Sequence, residues 1–363
     1  MRFSVFSVTD HYPGGPATIA DRYAQLLDEI ALADELDYAA FFLAEHHFHE
    51  YGAVPSPGTV LAAAAMRTRR IGLGVAVSVL PFHDPLLVAE EYAVLDQLSG
   101  GRVVLGVGSG YLQHEFDGFG IGPWEKRARF DEALEVLTTA WRGEPFTFHG
   151  RYHHVTDTRI AVTPVQRPHP PLWVAILRAE AARHVGAQGR SVMLIPYATC
   201  ASVSDLGAIA AEHRAGAAAS GAAASGATAP GAASSGATAA GAARSDGAAP
   251  GGCEVAAALH AYVSTSPDAA RAESEPYLDR YVESRLYARR RSYSELLTAG
   301  LLLAGDPDTV AAQVDKVAGL GVDHVLLLAN FGAMPHSLVA ASLTRVAREV
   351  MPRFGPATTP RSS

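Results

Sequence analysis

Ile71-Gly72-Leu73-Gly74-Val75-Ala76-Val77-Ser78-Val79-Leu80-Pro81 is a run of branched aliphatic and small residues closed by a proline. Residues 85–98 then read as a helix, with Pro85 suited to its first turn. Arg102-Val103-Val104-Leu105-Gly106-Val107-Gly108-Ser109-Gly110 follows, a second strand over 102–107 that ends in glycines. The same alternation extends outward in both directions. Upstream, residues 3–8 and 39–43 are strand-like, each followed by a helical pattern, over 19–36 and 59–66. Downstream, strands are predicted at 171–176, 192–195, 255–264 and 324–329, and helices at 124–141, 179–188, 267–289, 307–320 and 335–350. Eight strands nearly all followed by helices imply a parallel sheet, and eight units fit a closed (β/α)8 TIM barrel better than an open sheet. In either topology a ligand sits at the carboxyl ends of the strands.

The chain has 363 residues, 48% of them hydrophobic and 18% charged, which is the composition of a folded protein. One barrel is expected over residues 1–352, with a tail at 353–363. Lys and Arg number 29 against 37 Asp and Glu, a net charge of −8, so a nucleic-acid partner is not expected. Cys200 and Cys253 cannot build a disulfide framework, which suits a reducing interior. The first residues have too short an apolar run for a signal peptide, and no stretch reaches the length of a membrane span. The expected location is cytoplasmic. Residues 215–252 interrupt the pattern with almost nothing but Ala, Gly, Ser, Thr and Pro. Such a tract buries too little apolar surface to offset its ordering entropy, so it is expected to be a disordered surface-loop insertion without chemistry.

Candidate functional residues follow the strands. Glu45-His46-His47-Phe48-His49-Glu50 packs three histidines and two carboxylates into six positions. Imidazole and carboxylate suggest a metal, but the spacing lacks His-Glu-x-x-His and adjacent residues of an extended chain point apart, so no metal is assigned. Histidines titrating near neutrality suit acid–base work instead. His83 and Asp84 follow the third strand, and Asp84 reads equally as a helix cap. Gly108-Ser109-Gly110 leaves the backbone bare for close approach of a flat or anionic ligand; it is no dinucleotide fingerprint, since no helix opens directly after it. Arg178 stands at the start of the helix near residue 179, where free amides and a guanidinium suit a phosphate.

Together these segments resemble the bacterial luciferase alpha chain and its flavin-dependent monooxygenase relatives. The carriers are Glu45-His46-His47-Phe48 with Glu50-Tyr51-Gly52, then Val79-Leu80-Pro81 through Pro85, Ala89-Glu90 and Leu95-Asp96-Gln97-Leu98-Ser99. Gly101-Arg102, Gly305-Asp306-Pro307 and Arg348-Glu349-Val350-Met351-Pro352 complete the series in order. The resemblance implies a luciferase-like barrel that takes reduced FMN from a separate reductase. With O2 it would oxygenate a small organic substrate through a C4a-hydroperoxyflavin. It implies a homodimer and His46 as the catalytic acid–base group, with Glu45 either orienting His46 or pairing with a neighbouring group behind it. Ala76, Val77 and Ser78 would lie against the isoalloxazine ring, in a segment where the family has a non-proline cis peptide, and Gly108, Ser109 and Gly110 beneath the flavin tail.

The phosphate site departs from the family pattern. Ser109 replaces an arginine, and Leu177, Arg178 and Ala181 stand where the family has Glu, Ser and Thr. Arg178 is the expected substitute cation. Two other readings accompany the monooxygenase: a deazaflavin (F420)-dependent oxidoreductase transferring hydride, and a non-catalytic flavin-binding partner subunit. The arginines between Pro276 and Leu303, Arg280, Arg285 and Arg289-Arg290-Arg291, read as a solvated helix face in preference to a closing lid.

Overall fold

The computed structural model describes residues 1–15, 17–50, 52–225, 253–286 and 289–355. Eight parallel strands close a barrel in the order β1 (Arg2–Ser7), β2 (Ala40–Leu43), β3 (Gly72–Val79), β4 (Val103–Gly108), β7 (Leu172–Ala175), β8 (Ser191–Leu194), β9 (Val255–Val263) and β11 (His324–Leu328). Closure runs through β1 against β11, with Phe3 opposite Val325 and Val5 opposite Leu327. These are the eight strands read from the sequence. Every β9 residue is buried, as befits a strand covered on both faces. It pairs with β8 through Val255–Ala257 and, farther along, with the short β10 (Leu302–Gly305) through His260–Val263. The antiparallel hairpin of β5 (Phe146–His149) and β6 (His154–Thr158) lies outside the barrel. Neither the hairpin nor β10 was anticipated.

Helices α1 (Ile19–Glu35), α2 (Pro57–Arg67), α3 (Pro85–Ser99), α5 (Lys126–Ala140), α6 (Glu180–Ala187), α8 (Asp205–Ser225), α9 (Pro267–Ser284), α11 (Pro307–Gly319) and α12 (His336–Arg345) alternate with the strands. Short helices α4 (Gln113–Phe119), α7 (Pro196–Thr199) and α10 (Tyr293–Thr298) complete the set. Thr18 and Asp21 form a reciprocal capping box on α1. Asp84 caps α3, its Oδ1 accepting from the Leu86 amide at 2.8 Å, so the capping reading of that residue holds.

Three boundaries differ from expectation. The helix predicted over 267–289 stops at Ser284, where Arg285 leaves helical geometry with ψ 121°. The Ala/Gly tract expected as a loop from residue 215 is helical through Ser225, because alanine dominates its first turns. Gly186 and Gly216 let α6 and α8 approach closely: a Cβ at either would collide with the other helix's backbone, at the His213 and Arg183 carbonyl oxygens. The rest of the predicted insertion, 226–252, lies outside the described residues. Of the predicted tail, Arg353 and Phe354 belong to the folded body, and the Phe354 ring packs 5.4 Å from that of Phe3; residues 356–363 lie outside the described residues.

Candidate active site

The carboxyl ends of the strands surround a hollow that opens to solvent. All eight barrel strands or the residues just after them contribute to its wall, which is mostly apolar. Of the sequence candidates, Glu45, His46, Ala76, Val77, Gly108, Ser109, Gly110 and Leu177 line it together. Ser78 does not: it is buried and hydrogen-bonds the Tyr92 hydroxyl of α3, on the helix side of the strand. Strand alternation explains this, since Val77 and Val79 face inward. The Ala76–Val77 peptide is cis, as the resemblance implied. Gly108 is needed beside it, because a Cβ there would fall 2.6 Å from Val77 Cγ2. Arg178 and Ala181 are not part of the lining, and Arg178 is exposed at the start of α6.

His46 is buried, and its Nδ1 lies 3.1 Å from Glu115 Oε1. The same carboxylate oxygen accepts from the His47 amide at 3.0 Å, so Glu115 serves both as an acceptor. An Nδ1–H held in this way leaves Nε2 as the acceptor of the imidazole ring. Burial pushes the His46 pKa below its ordinary value, partly countered by Glu115, while Arg285 pushes it down further. His46 is therefore a neutral imidazole at pH 7.

Glu45 takes the second of the two roles expected of it, pairing with neighbouring histidines. Its Oε1 accepts from His47 Nε2 at 3.1 Å and from His83 Nε2 at 2.8 Å. Burial alone would raise the Glu45 carboxyl, but both histidines together hold it below its usual range. Burial likewise opposes protonation of His83, and the Glu45 hydrogen bond and charge outweigh it, so His83 is raised. The ligand atoms of Glu45, His47 and His83 lie within 4.8 Å of one another. This is a two-histidine, one-carboxylate grouping that spacing within 45–50 could not reveal, because His83 comes from the next strand; the hydrogen bonds to Glu45 account for its distances.

Four functional candidates escaped the sequence reading. Glu115 sits on α4, whose seven residues are too few for a clear periodic signal. Tyr111 ends the glycine rim. Lys126 opens α5 with its Nζ 3.5 Å from the Gly110 carbonyl oxygen. Arg285, expected on a solvated helix face, is instead buried and lines the hollow. The signal for Arg285 was the arginine-rich segment itself; which arginine turns inward depends on where α9 ends.

The flat apolar wall of Ala76, Val77 and Leu177 and the bare glycine rim fit a flavin-like ring, and Ser109 and Lys126 at that rim fit its anionic tail. A model described as the luciferase-like monooxygenase family matches residues 1–324. The chain therefore belongs to that family, which contains FMN monooxygenases and F420-dependent dehydrogenases. It is 39% identical over 190 residues to the uncharacterized protein y4wF of Sinorhizobium fredii, covering 52% of this chain and 56% of that protein. Over 140 residues it is 39% identical to limonene 1,2-monooxygenase of Rhodococcus erythropolis, covering 39% of this chain and 36% of the other. The chain thus aligns with about half or less of the length of these relatives. The crystal structure of monooxygenase RslO1 from Streptomyces bottropensis superimposes with a TM-score of 0.84 at 27% identity, covering 98% of this chain and all of that one. Among the described residues no helix is long and apolar enough to cross a membrane.

Proposed function

We propose that this chain is the oxygenating component of a two-component flavin monooxygenase, taking reduced FMN from a separate reductase. Bound reduced flavin supplies two electrons to O2, so that one oxygen atom enters a small organic substrate and the other leaves as water. The observation that carries this reading is His46: a neutral, buried imidazole fixed by Glu115 in the same hollow as the flat wall and glycine rim. His46 Nε2 is the proton acceptor and, once protonated, the donor at the reacting centre. Glu115 fixes its tautomer and orientation. Ala76, Val77 and Leu177 exclude water, and Ser109 with the Gly108–Gly110 backbone holds the cofactor's tail. Glu45 supports the loop through His47 and His83.

The test is single turnover with reduced FMN and 18O2, across a panel of small organic substrates. One labelled oxygen atom per turnover is expected in the product. His46→Ala should lower the rate by roughly 10²–10⁴-fold while FMN affinity stays close to wild type. Unchanged turnover in His46→Ala removes its acid–base role, and unlabelled product removes the oxygenase. The hydride-transferring F420 reading has its own support: Leu177 puts an apolar side chain where the resemblance expects a polar rim, and F420-dependent glucose-6-phosphate dehydrogenases are among the relatives. Anaerobic turnover with reduced F420 decides for it.

A further inference from the structure

Arg285 is the first residue after α9, and the end of that helix turns its side chain into the barrel mouth. Its Nη1 donates to the Tyr281 hydroxyl at 2.9 Å and its Nη2 to the Tyr111 hydroxyl at 3.1 Å. Tyr281 lies one helical turn earlier on α9, and Tyr111 follows the glycine rim of β4. The guanidinium is thus held between two elements from opposite parts of the chain, both of which line the hollow.

A phenol that accepts from a guanidinium keeps its own O–H to donate. Tyr111, Tyr281 and Arg285 consequently offer O–H and N–H donors on one side of the cavity, around a fixed positive charge. Arg285 stands close enough to the reacting end for its charge to act on His46, and on His260, which is buried against the Tyr281 ring. Lys126 stands instead at the outer glycine rim. Most of the remaining wall is apolar, which strengthens a charge-assisted contact made inside it.

We propose that Arg285, held by Tyr111 and Tyr281, is the anion anchor of this hollow, so that a ligand bound there presents a carboxylate or comparable oxyanion to it. The proposal rests on the reading of the hollow as the active site. The oxyanion has two possible sources, the acidic group of an organic substrate and the phosphate of the flavin, and the position near His46 favours the substrate.

Calorimetric titration of the full chain separates the outcomes. Benzoate is compared with its neutral analogue benzamide, with and without FMN present, and FMN is compared with riboflavin, in wild type and Arg285→Gln. Wild type should bind benzoate about ten-fold or more tightly than benzamide. Arg285→Gln should erase that preference and leave the FMN-to-riboflavin ratio unchanged. Loss of the FMN preference instead, with no effect on benzoate, keeps Arg285 as the anchor and assigns it to the cofactor phosphate. If Arg285→Gln is poorly folded by circular dichroism, Tyr111→Phe serves as the second variant: it keeps the charge and should cut the benzoate preference several-fold. Preferences untouched by both variants, or benzoate no tighter than benzamide in a wild type whose FMN preference also survives Arg285→Gln, overturn the proposal. Failure of wild type to bind any flavin would count against the monooxygenase reading alone, because the benzoate comparison also runs without flavin.

Discussion

At the scale of single residues, the site is governed by what burial does to an imidazole. Desolvation disfavours the charged ring, and Glu115 restores part of what burial removes. His46 is therefore active as a base above its lowered pKa and loses that role as pH falls through it. The acidic limb of kcat/KM should lie below pH ~6.5, the ordinary histidine value. Glu115→Gln removes the carboxylate that supports the protonated ring, so the limb should move further to the acid side, while kcat falls through loss of the ring's fixed orientation. A limb that moves toward neutral pH, or does not move, would show that Glu115 does not act on His46. His46 itself was readable from the sequence, because the residues around it carry a recognisable order. Its true partner was not. Glu45 is adjacent in sequence, but consecutive residues after β2 point in different directions, and the carboxylate that reaches Nδ1 comes from α4, 69 positions later.

At the scale of elements, the eight barrel strands were legible because strands buried on both faces read as unbroken apolar runs. The β5–β6 hairpin was missed because its short, largely exposed strands outside the barrel contain no unbroken apolar run. β10 was missed because its four residues merge into the approach to α11. Element ends carry the rest of the organisation, and Arg102 shows how. Its Nε donates to the Ser99 carbonyl at the end of α3 at 2.8 Å, and Nη1 to the Ile71 carbonyl and Thr68 hydroxyl at 2.9 Å each. Nη2 reaches the Ala65 carbonyl at 3.1 Å, so one guanidinium gathers carbonyls left over at the C-terminal ends of both α2 and α3. Arg102→Lys keeps the charge and loses the planar fork. It should cost roughly 1.5–3 kcal/mol, seen as a melting temperature several degrees lower, with flavin affinity unchanged. A variant that melts with wild type would mean that water replaces these contacts without loss.

At the scale of the whole molecule, the helical layer is not uniformly polar. On α3, Leu87, Val94 and Leu98 are 66%, 43% and 49% exposed, and Met66 near the end of α2 is 71% exposed. Leu87, Val94 and Leu98 recur at intervals of seven and four, so they form one stripe along the helix. The stripe forms one wall of a shallow groove between α2 and α3, with Gly58, Thr59 and Ala62 on the other side. In a two-fold dimer the same patch of both copies meets itself. If the homodimer that the family resemblance implies forms, this exposed apolar face is the surface expected to carry it. Glu91 reaches from α3 across to Gly58 of α2, so its carboxylate lies at one end of the groove. Leu87→Arg combined with Val94→Arg places two cations in each half of the apolar seam, four across the axis, and should convert the dimer to monomer in sedimentation at micromolar concentration. Because the barrel mouth lies at the strands' carboxyl ends and the stripe lies on the outer helices, the monomeric variant should retain flavin binding. A wild-type chain that sediments as a monomer, or a double variant that remains dimeric, would place the subunit contact elsewhere.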